Sequence, residues 1–189
     1  MPDYYYHGSK VSGLRVLLPG DPGRGETFVY ATSEPFYAVV LLHRPGAGLV
    51  RMWGRNDHNK KLFLVERKEN SLQSTYSGQR GSIYTVAKKG FEEPKRIHRE
   101  EWVISKPVTV VTELIIKDIW EYLLSLQSSN ELEIYYFKDR HRHPSGSDEE
   151  IIKTALRRLV KYGDGIIKEI KEYQPHLLQE ILSRRSLSK

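Results

Sequence analysis

Short apolar runs, separated by polar turns that contain glycine or proline, dominate the first 116 residues of the chain. Runs of this length that are rich in Val, Ile and Tyr are typical of strands in an antiparallel sheet. The pattern predicts strands at residues 4–7, 14–18, 28–32, 50–53, 62–65, 83–86, 102–104, 108–116 and 132–137. One helix is predicted among them, beginning near Pro35 and ending before Pro45-Gly46. The polar stretch Arg67–Gly81 predicts a long loop.

Beyond residue 116 the apolar positions recur with helical spacing. Ser147 and Glu150 form a capping box at the start of one helix, and Gly163 is placed to end that helix. Asp164 is predicted to cap the next helix, which Pro175 breaks. The predicted helices cover residues 116–126, 148–162 and 164–174, with a last turn at 177–182.

The composition is that of a folded globular protein. The chain has 189 residues, of which 39% are hydrophobic and 29% are charged. The absence of cysteine excludes disulfides, thiolate zinc sites, iron–sulfur clusters and a cysteine nucleophile. With no long apolar run and no signal-like N-terminus, we expect no membrane association and a cytoplasmic protein. We expect an α+β fold with a core over residues 1–116 and an α-rich C-terminal extension over 117–189, packed on that core.

The net charge is +6, and the basic excess lies in the first 116 residues. Such an excess favours an anionic partner, such as a dinucleotide or a nucleic acid, or serves only solubility. The aromatic residues include 12 Tyr against 5 Phe. Tyrosine stacks on bases and nicotinamide rings, but it is also common in half-buried strands. Charge and aromatic content therefore do not by themselves choose a function.

A pair of histidines, His141 and His143, lies in a charged loop near the C-terminal helices. Two histidines at this spacing are one way to begin a metal site. No third histidine lies nearby in the sequence, and such pairs are usually solvated. We therefore expect no metal.

Three short segments place polar or aromatic side chains on or beside predicted strands. They are Tyr6-His7-Gly8-Ser9, Tyr30-Ala31-Thr32 with Tyr37-Ala38, and Glu101-Trp102-Val103-Ile104. In this order they resemble the motifs of the ADP-ribosyltransferase fold family with a His-Tyr-Glu type triad, which includes poly(ADP-ribose) polymerases and rifampicin ADP-ribosyltransferase. The resemblance covers about residues 4–116. It implies an antiparallel split β core and an enzyme that transfers ADP-ribose from NAD and releases nicotinamide.

The resemblance also implies a role for each matched residue. Glu101 would accept from the ribose 2′-hydroxyl and supply negative charge to an oxocarbenium-like transition state. His7 would fix the dinucleotide through its adenosine-side ribose. Tyr30 and Tyr37 would stack on the two sides of the nicotinamide ring.

The remaining matched residues would bind the same co-substrate. The backbone of Gly8 would pair with the nicotinamide amide, and Ser9 and Thr32 would contact the amide or the ribose. Glu100 competes with Glu101 for the role of triad acid, and the alignment with Glu-aromatic-hydrophobic favours Glu101. NAD is the implied co-substrate, and this chemistry needs no metal.

Two questions stay open at this point. The acceptor of the ADP-ribose is a protein side chain, a nucleic acid or a small molecule, and nothing in the sequence chooses among them. The alternative from another class is a non-catalytic module that uses the same basic, tyrosine-rich face to bind a nucleotide or nucleic acid. A weaker alternative is the 2′-phosphotransferase branch of the same fold, which also consumes NAD.

Overall fold

The structure is a computed structural model that describes residues 3–20, 27–42, 48–56, 59–93 and 101–186. Its strands are β1 (Tyr4–Ser9), β2 (Val16–Leu17), β3 (Val29–Thr32), β4 (Arg51–Arg55), β5 (Leu62–Glu66), β6 (Gly81–Ala87), β7 (Glu101–Ile104), β8 (Val108–Ile116) and β9 (Leu132–Tyr135). Its α-helices are α1 (Pro35–Val40), α2 (Ser71–Tyr76), α3 (Ile119–Ser128), α4 (Asp148–Tyr162), α5 (Gly165–Tyr173) and α6 (Leu178–Ser186), with 3-10 helices at Phe137–Arg142, Pro144–Gly146 and Pro175–Leu177. The chain is an α+β protein with helices at its C-terminal end, as predicted.

The chain divides into two compact units. The first unit joins Met1–His43 to Ser77–Tyr122, and the second unit joins Arg44–Tyr76 to Leu123–Lys189. The division predicted from the sequence follows chain order at residue 116, whereas each unit is built from separated segments. Strand pairing gives the reason for the second unit, because β9 runs parallel to β5 and pairs with it.

The first unit is built on a six-stranded antiparallel sheet with the strand order β2-β8-β6-β1-β3-β7. Side chains alternate between the two faces of each strand. One face carries a buried apolar cluster, made of Tyr5, Leu17, Val29, Ala31, Tyr84 and Val86. Helix α1 starts with Pro35 at its first position, as predicted, and it packs against β1. The strands that carry the three sequence motifs, β1, β3 and β7, are consecutive in this sheet.

The second unit combines the three-stranded sheet β4-β5-β9 with the C-terminal helices. Its apolar core contains Leu49, Ile151, Ile152, Ala155, Leu159, Ile166, Ile170, Leu177 and Ile181. The hydroxyl of Ser147 accepts a hydrogen bond from the Glu150 amide at 3.3 Å, and Gly163 ends α4 with φ of 67°. The Ser147 half of the predicted capping box and the C-terminal glycine are confirmed. The Glu150 carboxylate does not complete the box, because the Ser147 amide bonds to the Pro144 carbonyl and Glu150 accepts from Lys153 at 3.0 Å. Asp164 is the N-cap residue of α5, as predicted, but its side chain makes no cap hydrogen bond and pairs with Arg185 at 2.6 Å.

The prediction of a long loop over residues 67–81 is also wrong, because Ser71–Tyr76 is helix α2. Leu72 and Tyr76 lie four residues apart on one face of this helix, and both are fully buried. Only two apolar anchors in a polar stretch are too few for a periodic signal. Residues 21–26, and the predicted stop of the first helix at Pro45-Gly46, lie outside the described residues.

Crossing a bilayer requires a helix of about 20 predominantly apolar residues. None of the helices in the described ranges has the length and apolar content needed to cross a membrane.

Candidate functional site

Strands β1 and β3 meet at one pair in the register of the described residues, Tyr6 opposite Thr32. Beyond this pair, the imidazole of His7 reaches the main chain of β3, with Nδ1 2.6 Å from the carbonyl oxygen of Tyr30. A carbonyl only accepts, so Nδ1 carries the hydrogen. Burial lowers the pKa of His7, and the hydrogen bond to Tyr30 opposes this shift only in part. His7 is therefore neutral near pH 7, with Nε2 as an acceptor.

Glu101 is the first residue of β7 and lies directly opposite Thr32 of β3. Its side chain is buried, with 1% of the residue exposed. Because directly paired residues of neighbouring strands share a face, Tyr6, Thr32 and Glu101 form a row across β1, β3 and β7. A buried carboxylate acts on a nearby charge through a medium of lower dielectric constant than water. The neighbouring residue Glu100 lies outside the described residues.

Thr32 sits in the middle of this row and is also buried. Its hydroxyl lies 2.8 Å from the carbonyl oxygen of Glu34 and 3.3 Å from that of Tyr6. A hydroxyl has one proton to donate, so the shorter contact to Glu34 takes it. Thr32 therefore fixes the turn between β3 and α1, and its oxygen retains acceptor capacity.

The two tyrosines that the resemblance assigned to nicotinamide differ in exposure. Tyr30 is half-buried, and its ring meets that of Phe28 edge-on, with the centroids 6.2 Å apart. Tyr37 lies in α1 with 3% of the residue exposed, and its ring meets that of Phe36 with the centroids 5.5 Å apart. Of the two tyrosines, Tyr30 thus offers the larger surface to a ligand.

Gly8 and Ser9 both have a defined local role in the structure. A Cβ at Gly8 would overlap the carbonyl oxygen of Ala38, so the absence of a side chain lets α1 approach β1. The hydroxyl of Ser9 accepts from the amide of Val11 at 3.1 Å and opens the turn that leaves β1. The glycine of this motif is therefore explained by helix packing alone, whatever the ligand.

The predicted residues all lie in the first unit, but alternation along the strands divides them. Tyr30, Thr32 and Glu101 point to one face of the sheet. His7 points to the opposite face, and it reaches β3 through the main chain of Tyr30. A molecule that touched both His7 and Glu101 would have to pass where β1 and β3 cease to pair.

Sequence reasoning missed a polar group on the face of His7, formed by Ser82, Tyr84 and Glu113. Tyr84 belongs to the predicted strand 83–86, which was interpreted only as a strand, and Ser82 directly precedes it. The signal available was the alternation of two hydroxyl side chains along that strand.

The histidine pair near the C-terminal helices, in the second unit, is not arranged as a metal site. His143 lies between Phe63 and Tyr135, with ring centroids 4.1 and 5.0 Å away. Its Nδ1 accepts from the amide of Ser145 at 3.2 Å. Over the described ranges, no three His, Asp or Glu side chains are grouped so that they could hold a metal ion.

Comparison with known proteins adds no relative: no family model, no curated protein and no solved structure matches this chain.

Proposed function

We propose that this chain is an NAD-dependent ADP-ribosyltransferase-like enzyme with an ADP-ribosyltransferase-like split β core. It transfers ADP-ribose from NAD to an acceptor and releases nicotinamide. The observation that carries the proposal is the adjacency of β1, β3 and β7, which bear the His, Tyr and Glu motifs. Motifs far apart in the sequence thereby become neighbours, with Glu101 opposite Thr32 and His7 bonded to the main chain of Tyr30.

The reaction breaks the bond between the ribose C1′ and the nicotinamide nitrogen. The bonding electrons leave with nicotinamide, and C1′ becomes oxocarbenium-like before the acceptor attacks it. The acceptor loses one proton as the new bond forms. Glu101 accepts from the ribose 2′-hydroxyl and places a negative charge beside the developing positive charge. Its burial strengthens this interaction in the transition state.

The other residues bind and orient NAD in this proposal. Neutral His7 accepts from a ribose hydroxyl through Nε2, since Nδ1 is committed to Tyr30. The Tyr30 ring stacks on nicotinamide, and Tyr37, which the resemblance places on the other side of that ring, is buried in α1. Gly8, Ser9 and Thr32 supply main-chain and hydroxyl contacts to the amide and the ribose. The net charge of +6 favours association with the anionic dinucleotide.

The experiment that tests the proposal follows nicotinamide release from NAD by the wild-type chain and by Glu101→Gln. The variant keeps the shape of the side chain but removes its charge. We expect a loss of about 10²–10³ in rate, with NAD affinity nearly unchanged because the charge acts mainly in the transition state. Glu92→Gln is the matched control, since Glu92 is exposed and its main chain bridges to Val103 of β7.

Two results would overturn the proposal. One is a wild-type chain that neither cleaves NAD nor transfers ADP-ribose under any acceptor condition. The other is a Glu101→Gln variant that releases nicotinamide as fast as the Glu92→Gln control. Salt-dependent binding of nucleic acid without cleavage of NAD would instead favour the non-catalytic module.

A further inference from the structure

His7, Tyr84 and Glu113 form a row across three adjacent strands. His7 of β1 lies directly opposite Tyr84 of β6, and Tyr84 lies directly opposite Glu113 of β8. Direct partners share a face of the sheet, so all three side chains are on the same side. The rings of His7 and Tyr84 are tilted by 34°, with centroids 6.5 Å apart.

The Tyr84 hydroxyl is the centre of a hydrogen-bonded network. Tyr84 is fully buried, and its hydroxyl oxygen lies 2.7 Å from the Val11 carbonyl oxygen and 3.0 Å from Glu113 Oε1. The same oxygen accepts from the Leu14 amide at 3.2 Å. Burial raises the pKa of Tyr84, so the hydroxyl keeps the proton that it shares between its two acceptors.

Glu113 completes the network from the neighbouring strand. Its Oε1 accepts from the Ser82 hydroxyl at 2.6 Å and from the Gly13 amide at 3.0 Å. The hydrogen bonds from Ser82 and then from Gly13 lower the pKa of Glu113. Ser82 itself lies directly opposite Ser9, the last residue of the first motif.

The network therefore holds the chain that leaves the first motif. Three main-chain groups of the loop Val11–Leu14 bond to Tyr84 or Glu113, and Ser9 bonds to the first residue of that loop. Segment His7–Ser9 is thus held by the loop that follows it and by the neighbouring strand β6. A purely apolar side chain at position 84 would fill the core but would hold neither Val11 nor Leu14.

We propose that Tyr84 and Glu113 are positioning residues for His7-Gly8-Ser9, which set the orientation of the His7 imidazole and of the loop that follows. The consequence for NAD rests on the proposed function: a correctly oriented His7 binds the dinucleotide, and so the network acts on NAD binding and not on bond breaking. Neither residue is required to touch NAD.

Three variants and a matched control test the proposal in the full-length chain. Tyr84→Phe removes the hydroxyl but keeps the ring, and Glu113→Ala removes the acceptor. Glu113→Gln keeps one acceptor oxygen and is the conservative variant. Tyr5→Phe is the control, since Tyr5 is a buried tyrosine of β1 whose hydroxyl has no hydrogen-bond partner within the described part of the chain.

The first measurement needs no NAD. Nitrogen-15 NMR of the imidazole reports which nitrogen of His7 carries the hydrogen, and hydrogen exchange reports the Gly13 and Leu14 amides. We expect Tyr84→Phe and Glu113→Ala to speed exchange of these two amides by about 10-fold and to mix the two tautomers of His7. Tyr5→Phe leaves both unchanged. If His7 keeps its single tautomer in both variants, the proposal is overturned, whether or not the chain uses NAD.

The second measurement separates positioning from general weakening of the fold. We expect Tyr84→Phe and Glu113→Ala to raise KM for NAD by about 10-fold, with kcat within about twofold. Glu113→Gln should recover most of the loss. In a His7→Ala background, Tyr84→Phe should raise KM no further, because both changes act through the same side chain. If the effects of His7→Ala and Tyr84→Phe on KM are fully additive, the proposal is overturned. A wild-type chain that does not cleave NAD would refute the proposed enzymatic function. The NMR and hydrogen-exchange measurement would still test whether Tyr84 and Glu113 position His7.

Discussion

The Nδ1 atom of His7 and the carbonyl oxygen of Tyr30 are 2.6 Å apart, and this contact joins the first two sequence motifs. It forms where β1 and β3 stop pairing: His7 is one residue after Tyr6, and Tyr30 is two residues before Thr32. The imidazole thus takes up the acceptor that a regular ladder would have satisfied with a main-chain amide. A displacement of β3 would therefore change the position of the His7 imidazole, so the first two motifs are structurally coupled.

Replacement of Tyr30 tests whether NAD binds beside this contact. Tyr30→Ala removes the ring but leaves the carbonyl that holds His7. Since aromatic stacking contributes about 0.5–1.5 kcal/mol beyond burial, we expect the NAD dissociation constant to rise about twofold to tenfold. Calorimetry on a Glu101→Gln background, which slows cleavage, measures it.

Two control variants test whether an effect of Tyr30→Ala comes from loss of the aromatic ring at this position. Tyr30→Phe keeps the stacking surface and should bind like wild type. Tyr4→Ala removes an exposed ring at the start of β1 and should have no effect. An unchanged dissociation constant for Tyr30→Ala would remove Tyr30 from the site.

Gly8 tests the packing explanation of the first motif. Gly8→Ala forces a Cβ against the carbonyl oxygen of Ala38, a main-chain atom that moves only with helix α1. We expect the free energy of unfolding to fall by about 1–3 kcal/mol, as for other overpacked sites. Urea denaturation measures the change. Gly20→Ala is the control, because a Cβ there meets nothing within 4 Å, and a loss as large as that of Gly8→Ala would contradict the packing argument.

Local signals in the sequence predicted the local structure well. The cap at Ser147 and the stop at Gly163 depend on residues within a few positions of each other, and both are confirmed. Parallel pairing of β5 with β9 joins residues about 70 apart and leaves no local trace. The same limit applies to Asp164, whose side chain pairs with Arg185, 21 residues away, and makes no cap hydrogen bond.

The candidate site was likewise predictable only where its signals are local in the sequence. Its motifs were visible as short strings, but the contact between His7 and Tyr30 depends on the strand order β1-β3-β7. The row from His7 through Tyr84 to Glu113 was missed because pairing across three strands sets it. Register of this kind is decided by which faces are buried in the whole sheet.

His143 makes the stability of the second unit depend on pH. Burial lowers the pKa of His143 below its ordinary value of 6.5, and the charge of Arg67 lowers it further, against the opposing effect of Glu133. The unfolded chain therefore takes up this proton more readily than the folded chain does. Stability from this residue is complete above about pH 6.5 and is lost as the pH falls through the folded pKa.

His143→Gln isolates this effect, because the amide oxygen can still accept from the Ser145 amide but does not titrate. We expect the wild type to lose more stability than the variant between pH 7 and pH 5. The difference reaches at most about 1.4 kcal/mol for each unit by which the pKa is lowered. Thermal unfolding at several pH values measures it. Exposed His141, changed to Gln, should keep the pH dependence of the wild type, and parallel curves for His143→Gln and wild type would refute the prediction.

Glu66 joins two elements of the second unit, and one of them is the helix that the sequence did not predict. Its Oε1 accepts from the Leu72 amide in the first turn of α2, and its Oε2 accepts from the Phe137 amide of the 3-10 helix that follows β9. The side chain is buried, and fully buried Arg51 lies directly opposite it on β4.

Glu66→Gln replaces one acceptor by an NH₂ group that faces an N–H group. Since an unsatisfied buried group costs about 1–3 kcal/mol, we expect urea denaturation to show a loss of this size. Hydrogen exchange should quicken at Leu72 or Phe137, according to which oxygen is replaced. Glu69→Gln, three residues along and exposed, should change neither quantity, and an equal loss there would show that charge alone is responsible.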